Sequence, residues 1–223
     1  ETADRGPGRK NIGVQAQVSS LLSQGGVAVG GRDYKNLIEA LTHSKLYQDF
    51  EKAYEETTGL PVALRPVESW QLPHHGKRNE SPFCALIAEK SRTCSACLRF
   101  QQQLSELAGA EPLTLACEFG LCDTVVPVRL GQHFIGFLQT GQVMRRKPTA
   151  AQFDKVLSVI QKNGGIVDGS RLREAFFGSK VVPPKGYEAM VKLLAIFAQH
   201  ISIVSNQIVV SQTNAEPPMI KRA

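Results

Sequence analysis

The sequence lacks an uninterrupted apolar run of membrane-spanning length and shows no secretory signal at its start. Its most apolar stretch, residues 191–210, is broken by polar side chains such as Lys192, His200 and Asn206. No positively charged segment followed by an apolar core opens the chain. We therefore expect no membrane span and a cytoplasmic location.

Glycine-rich phosphate loops of the Walker and dinucleotide types are also missing, as is a Gly-x-Ser-x-Gly nucleophile elbow. No internal repeat is visible. These absences argue against nucleotide-dependent enzymes, α/β-hydrolases and repeat architectures. A thiol-dependent enzyme stays open as an alternative, because it needs a cysteine, a histidine and an orienting group that meet only in the fold.

Positive charge is in excess, with 26 Lys and Arg against 20 Asp and Glu, and a net charge of +6. The basic residues are scattered in small groups, for example at residues 145–147, and no helical segment has a dense basic face. Scattered charge is typical of a solvated surface rather than of a nucleic-acid interface. We expect DNA contact only through a domain that is not part of this sequence.

The five cysteines, by contrast, are concentrated between positions 84 and 122. An odd number in a chain of 223 residues argues against a secreted disulfide framework and favours a local site in a reducing compartment. Cys94-x-x-Cys97, with Cys84 before it and Cys117 after it, offers the four soft ligands that zinc prefers. The alternatives are a redox site and ordinary buried thiols. Cys122 is expected to pack, and His74 and His75 to lie on a loop surface.

Hydrophobic periodicity predicts about four or five strands, mostly antiparallel, flanked by helices. Gly131-Gln132 separates two β-rich runs and suits a type II′ hairpin turn. Helices are expected from about residue 33, after Ser44, over residues 91–107, after Thr149, after Asp168 and over residues 186–211. Strands are expected at residues 60–67, 113–118, 124–130 and 133–143. The fold class is thus α/β of the α+β type, with a long C-terminal helix.

Residues 41 to about 156 resemble the PocR-type sensory domain of bacterial regulators. The matching segments are residues 46–61, 81–84, 117–128, 131–136 and 141–143, of which the run CEFGLCD at 117–123 is the most specific. The resemblance implies a PAS-like or GAF-like antiparallel sheet that binds a small molecule. Two departures, Glu118 where the family commonly has His and Thr140 where it commonly has Gly, bear on the identity of the ligand.

The resemblance places a mainly apolar pocket at the hairpin, against the sheet. The predicted ligand-binding residues are Phe83, Phe119, Gly120, Leu121, Pro127, Gly136, Phe137, Gln139 and Gly141. The predicted metal ligands are Cys84, Cys94, Cys97 and Cys117, with zinc as the favoured metal and an unidentified organic molecule as the ligand otherwise. For any single one of Phe119, Leu121 and Phe137, simple core packing is the stronger interpretation, whereas for the group as a whole pocket and core are equally favoured.

The C-terminal part of the sequence bears on the oligomeric state of the chain and on the kind of protein to which it belongs. Residues 218–223 resemble the start of an AraC-type helix-turn-helix domain, so we expect a sensor that precedes a DNA reader. The final helix has apolar residues at heptad spacing, namely Met190, Leu194, Phe197, Ile201, Val204 and Ile208. This spacing suits either a homodimer seam or packing on the sheet. The position of the helix between the sensor and the expected DNA-binding domain favours the seam, so we predict that the stripe pairs with its copy in a second chain.

The predicted organisation is a flexible segment at 1–32, a sensory domain at 33–182 and a signalling helix at 183–223. The predicted function is small-molecule sensing that controls an attached DNA-binding domain, without catalysis. A cysteine-based metal or redox sensor is the second hypothesis.

Overall fold

The computed structural model describes residues 31–69, 71–89, 91–162 and 168–215. The predicted flexible segment, apart from its last two residues, and the AraC-like residues 218–223 lie outside them. The described chain is mixed α+β, and its elements are α1 (Gly31–Thr42), α2 (Lys45–Thr58), β1 (Val62–Pro66), α3 (Pro82–Ala88), α4 (Ser91–Leu107), β2 (Leu113–Ala116), β3 (Cys122–Leu130), β4 (His133–Val143), α5 (Ala150–Lys162), α6 (Gly169–Phe177) and α7 (Pro184–Ala215).

The four strands form one antiparallel sheet in the order β1-β4-β3-β2. The predicted hairpin is confirmed, because Leu130 pairs with His133 across the two-residue turn and Gly131 has a φ of 59°. Register shifts interrupt the β3–β4 ladder between Cys122 and Asp123 and between Val128 and Arg129. The first of these irregularities lies at the end of the sheet where the candidate site is found.

Capping residues in the sequence predicted the ends of several helices correctly. The Ser44 hydroxyl accepts a hydrogen bond from the Tyr47 amide at the start of α2, and Gly59 ends that helix in a left-handed conformation. Thr149 and Gln152 form the expected capping box, and the Asp168 carboxylate accepts from the amides of Ser170 and Arg171. These caps satisfy amide groups that a helix end leaves without an internal partner.

One face of the sheet packs against α1, α2 and α7. Its inward residues include Val62, Val126 and Leu138, each at most 3 % exposed, and beyond the register shifts they also include the odd-numbered Ile135 and Val143. They meet Leu37 and Ile38 of α1 and Leu194 of α7 in one cluster. The alternation along each strand is the period of two that a half-covered antiparallel sheet requires.

The opposite face packs against α4, and α3 lies next to α4 and α6. The sequence predicts no helix between the strand at residues 60–67 and the helix at residues 91–107, so α3 was not predicted. A second core cluster forms there and includes Phe83 and Ile87 of α3 with Phe153 of α5 and Phe176 of α6. The ring of Phe176 contacts the rings of both Phe83 and Phe153. A seven-residue helix is too short for its apolar spacing to stand out from the surrounding sequence.

Helix α7 corrects the prediction that its heptad stripe is a dimer seam. Leu194 and Ile201 of that stripe are 0 % and 2 % exposed because α7 packs on β3 of the same chain. The side chain of Ile208 lies outside the described part. The exposed apolar residues of the helix are instead Leu193, Ile196 and Ile203.

The segment Pro184–Gln207 is long and apolar enough, by length and composition, to cross a membrane. This differs from the sequence-based expectation that no such segment exists. The core helix of a soluble protein passes the same test, and 22 % of the 18-residue window that meets it is buried inside the protein. One side of α7 packs on β3 of the same chain.

Candidate functional site

A small cavity lies between the sheet and the helices α3 and α4. It encloses about 50 Å³, which is room for a few water molecules. The walls come from the loop before α3, from α3 and α4 themselves, and from the turn between β2 and β3. Its lining residues are Leu72, Pro73, His74, Glu80, Phe83, Cys84, Ile87, Cys97, Phe100, Gln101, Cys117, Phe119, Leu121, Asp123 and Gln142.

Three of the predicted ligand-binding residues line this cavity, namely Phe83, Phe119 and Leu121. All three are at most 3 % exposed, and the rings of Phe83 and Phe119 meet edge to face with centroids 6.1 Å apart. Gly120 stands in the same turn with a φ of 86°, where glycine avoids the strain that a side chain would bring. The CEFGLCD run thus forms part of the cavity wall.

The other predicted residues are more spread out. Gln139 and Gly141 adjoin Asp123 at the sheet surface beside the cavity. Phe137 packs with Leu104 and Val125 in a separate small cluster. Pro127 and Gly136 lie farther toward the hairpin and do not line the cavity, and Gly136 approaches the carbonyl of Arg65 and the side chain of Ile38.

A buried polar network, which the sequence analysis missed, forms the floor of the site. Asp123, which is 6 % exposed, accepts hydrogen bonds from the amide groups of Gln101 (3.2 Å) and Gln139 (3.0 Å) and from the backbone N–H of Gln142 (2.7 Å). Burial raises the pKa of this carboxyl, while the three donors and the nearby Arg65 oppose the rise. Its oxygens are therefore already occupied by protein donors.

Arg65 supplies the balancing charge from β1. Its Nε donates to Gln139 Oε1 at 2.7 Å and a terminal nitrogen donates to Ser105 Oγ at 3.0 Å. Burial lowers the pKa of the guanidinium to about 10, and the Asp123 carboxylate works in the opposite direction. Arg65 and Asp123 are thus linked through Gln139, which accepts from the first and donates to the second. A charged residue inside an otherwise apolar strand is the signal that could have revealed this network.

Gln142 connects the floor to the roof of the cavity. It has a φ of 57°, the single positive value among the described non-glycine residues, and it directly follows the close approach of Gly141 to Asp123. Its side-chain oxygen accepts from the backbone N–H of Ser81 at 2.7 Å, just before α3. A residue held in a sparsely populated conformation by two hydrogen bonds is typical of functional sites.

Cys84, Cys97 and Cys117, three of the four predicted metal ligands, line the cavity. Cys94, the fourth, is partly exposed on α4 and does not line it, while Cys122 is buried in β3 as expected. Burial raises the pKa of Cys97 to about 12 and that of Cys117 to about 11, and it raises the pKa of Cys84 as well. At neutral pH these groups are thiols rather than reactive thiolates.

His74 corrects a further expectation, because it is 1 % exposed rather than part of a loop surface. Neither ring nitrogen has a hydrogen-bond partner. Burial lowers the pKa of the imidazole to about 3, with smaller contributions from Lys77 and Arg65, so the ring is neutral. Its neighbour His75 is the exposed one and contacts Glu80 at 3.1 Å. A buried imidazole without partners is costly unless something binds it.

Within the described ranges, no three Cys, His, Asp or Glu side chains lie in an arrangement that already forms a metal site. In its present shape the cavity offers a neutral imidazole, three thiols and an apolar wall to a small uncharged guest.

These features define a class of protein: an α+β domain that encloses a small cavity against one face of an antiparallel sheet and sets a long C-terminal helix against the other. The family model described as "Sensory domain found in PocR" matches residues 41–206, about three quarters of the chain. The chain belongs to this sensory-domain family, and its role is ligand sensing. No curated protein is detectably similar to it. No solved structure matches it either.

Proposed function

We propose that this chain is the small-molecule-sensing domain of a bacterial transcription regulator and that its ligand binds in the cavity between α3, α4 and the sheet. The observation that supports this most directly is the unpartnered, buried His74 in the wall of that cavity. A neutral imidazole donates from one nitrogen and accepts at the other. The expected ligand is therefore a small organic molecule that offers both an acceptor and a donor.

The present volume is too small for most organic molecules, so binding requires the roof to move. Helix α3 is short, and the bond between Gln142 and the Ser81 amide joins its start to the sheet. Displacing α3 would enlarge the cavity without breaking the sheet. The ligand can shift the protein between two states only through its different affinity for them.

The proposal that the chain belongs to a transcription regulator rests on the resemblance of residues 218–223 to the start of an AraC-type helix-turn-helix domain. We place the protein in the cytoplasm, with DNA bound through that further domain and not by this chain. Helix α7 would connect the sensor to the reader.

Thiol catalysis and redox sensing receive less support from the protonation states of the cavity residues. Both need a thiolate, and burial keeps Cys84, Cys97 and Cys117 protonated. His74 is neutral for the same reason, so the cavity holds no thiolate–imidazolium pair. We therefore propose a role without catalysis.

The proposed assembly is a homodimer in which a second copy covers the outer face of α7. Leu193, Ile196 and Ile203 are 46 %, 59 % and 49 % exposed and follow the steps of three and seven residues found in helix pairs. A stripe with this spacing is complementary to its own copy in a parallel pair.

A thermal-shift screen of small diols, short acids and aromatic compounds tests the sensing role. A compound present at about one hundred times its Kd adds roughly 2.7 kcal/mol, which for a domain of this size raises Tm by about 5–11 °C. Ile87→Phe, which fills the cavity, should abolish the shift, whereas Leu107→Phe on the exposed side of α4 should preserve it. Equal shifts in both variants would place the ligand elsewhere.

A further inference from the structure

A groove runs between the edge strand β2 and the first turns of α7, on the face of the sheet that α7 covers. Its volume is about 470 Å³, which lies within the usual range for pockets that hold small organic molecules. Thr124, whose hydroxyl contacts Tyr187 of α7, marks this face, whereas its neighbour Asp123 lines the cavity on the other face. The groove is therefore a separate space from the cavity of the proposed function.

Arg145, which follows the end of β4, lines the groove with an unused hydrogen-bond donor. Its Nε is buried and has no partner in the part of the chain that the structure describes. The guanidinium lies over the Tyr187 ring, 5.4 Å from the centroid, and its Nη2 meets Glu188 Oε1 only at the long distance of 3.5 Å. A buried donor without a partner carries a desolvation cost, so this edge of Arg145 is suited to receive an acceptor from outside.

A carboxylate is the acceptor that matches Arg145 best. Nε and Nη2 are the two parallel donors on one edge of the guanidinium, and the two oxygens of a carboxylate accept from both. The contact with Glu188 offers little competition, because the Glu188 side chain is 69 % exposed and surface pairs contribute little. The other charged residues of the lining are Lys192, which attracts an anion, and Glu111, which repels it, and both are exposed. Since salt screens exposed charges, the partly buried Arg145 determines which ligand charge the groove accepts.

The remaining wall of the groove is apolar or already paired. Three residues line it with carbon atoms, namely Pro112, Val191 and Ala195. The Thr114 hydroxyl lies 2.7 Å from that of Thr124, which in turn contacts the Tyr187 hydroxyl, so these groups satisfy one another. Such a wall fits an aliphatic chain, whereas a polyol or inorganic phosphate would leave its apolar surface uncovered.

We propose that this groove is a second ligand site, which binds a small monocarboxylate with a short aliphatic chain. The two carboxylate oxygens accept from Nε and Nη2 of Arg145, and the chain packs on the apolar wall. The bound acid holds Arg145 against the Tyr187 ring, at the base of α7. The site does not depend on the proposed sensing function, because neither His74 nor helix α3 contributes to the lining of the groove.

Isothermal titration calorimetry of the whole chain with hexanoate tests the proposal, with hexanamide as the uncharged molecule of the same shape. Hexanoate should bind as a single molecule per chain, and hexanamide should bind at least about 10-fold more weakly, because hydrogen bonds between charged groups are the stronger ones. Arg145→Gln should weaken hexanoate binding by about 10-fold or more. Arg146→Gln removes the same charge beside the groove but outside its lining, and this matched control should bind within about twofold of the wild type.

The Nε–H signal of Arg145 in nitrogen–proton NMR spectra gives a check that does not depend on whether the arginine variants fold. Hexanoate should move this signal downfield in the wild type, because the Nε–H gains a charged acceptor. A signal that hexanoate leaves in place, equal binding of hexanoate and hexanamide, or an equal loss in Arg145→Gln and Arg146→Gln would each overturn the site. Tighter binding of inorganic phosphate than of hexanoate would overturn the assignment of the ligand as a carboxylate.

The variant Ile87→Phe separates this site from the cavity on the other face of the sheet, which that substitution fills. The hexanoate-induced shift of Arg145 should be the same in Ile87→Phe as in the wild type. Loss of the shift in Ile87→Phe would place the acid in the cavity, which would overturn the second site and support the sensing function. A thermal-shift screen that finds no ligand for the cavity would contradict the sensing function and leave the response of Arg145 to hexanoate unaltered.

Discussion

Two glycines beside the cavity are required for different physical reasons. Gly141 has a φ of 154°, and a Cβ there would lie 2.5 Å from the Asp123 Cα and 2.6 Å from the Cys122 carbonyl oxygen. Gly120 has a φ of 86°, yet a Cβ there would meet nothing within 4 Å. A side chain at Gly141 is therefore both strained and blocked, whereas one at Gly120 is only strained.

This contrast gives a matched pair of variants. Gly120→Ala should lower the free energy of unfolding by about 1–2 kcal/mol, the usual cost of a left-handed alanine. Gly141→Ala should lower it by roughly 2–5 kcal/mol, because a clash with backbone adds to the conformational cost. Urea unfolding followed by circular dichroism measures both. Equal losses would mean that the backbone near Asp123 yields more easily than its packing indicates.

Single residues also mark where sequence reasoning ends. His74 and His75 are adjacent and share a Pro- and Gly-bounded segment, yet one is buried and the other exposed. Which of two neighbours points inward depends on the path of the long loop before α3, and that path has no periodicity to follow. The thiols were easier to identify, because their clustering is visible in the sequence.

At the scale of elements, helix α7 has two apolar faces with different roles. Leu194 is fully buried against the sheet, and Phe197 stacks on Phe50 of α2 with ring centroids 3.6 Å apart. Ile196 is on the outer face and is 59 % exposed. Heptad spacing alone does not distinguish these faces, because apolar residues occur on both. The sequence therefore predicted the helix but assigned the wrong stripe to the partner.

Alanine substitutions on α7 separate the two faces. Leu194→Ala should cost about 2–5 kcal/mol of folding free energy, since it leaves a cavity in a packed core. Ile196→Ala should change the folding free energy of the monomer by no more than about 0.5 kcal/mol.

Light scattering of Ile196→Asp tests the proposed dimer, which this variant should dissociate. A dimer indifferent to the charge at residue 196 would place the interface elsewhere.

Elements with strong local signals were predicted well, and those without them were not. Ser44, Gly59, Thr149 and Asp168 specify helix ends through contacts with near neighbours, and the Gly131 turn specifies the hairpin. The polar floor depends instead on contacts between residues far apart in sequence, such as Arg65 with Gln139. No window along the chain contains such a pair, so the floor becomes visible only in the fold.

At the scale of the whole molecule, β3 connects the cavity to the signalling helix. Asp123 faces the cavity, and the next residue, Thr124, faces the opposite side, where its hydroxyl lies 2.8 Å from the Tyr187 hydroxyl of α7. Both Thr124 and Tyr187 are at most 1 % exposed. A movement of β3 caused by the ligand would therefore reach the first turns of α7 directly.

Hydrogen–deuterium exchange, with and without a compound that raises Tm, tests the central claim most directly, because it locates the ligand and its effect together. We expect slower exchange in residues 72–88 and 117–123, which surround the cavity, and a change in the first turns of α7 near Tyr187. Protection confined to α1 and α2, with the cavity segments unaltered, would contradict the assignment of this cavity as the sensing site.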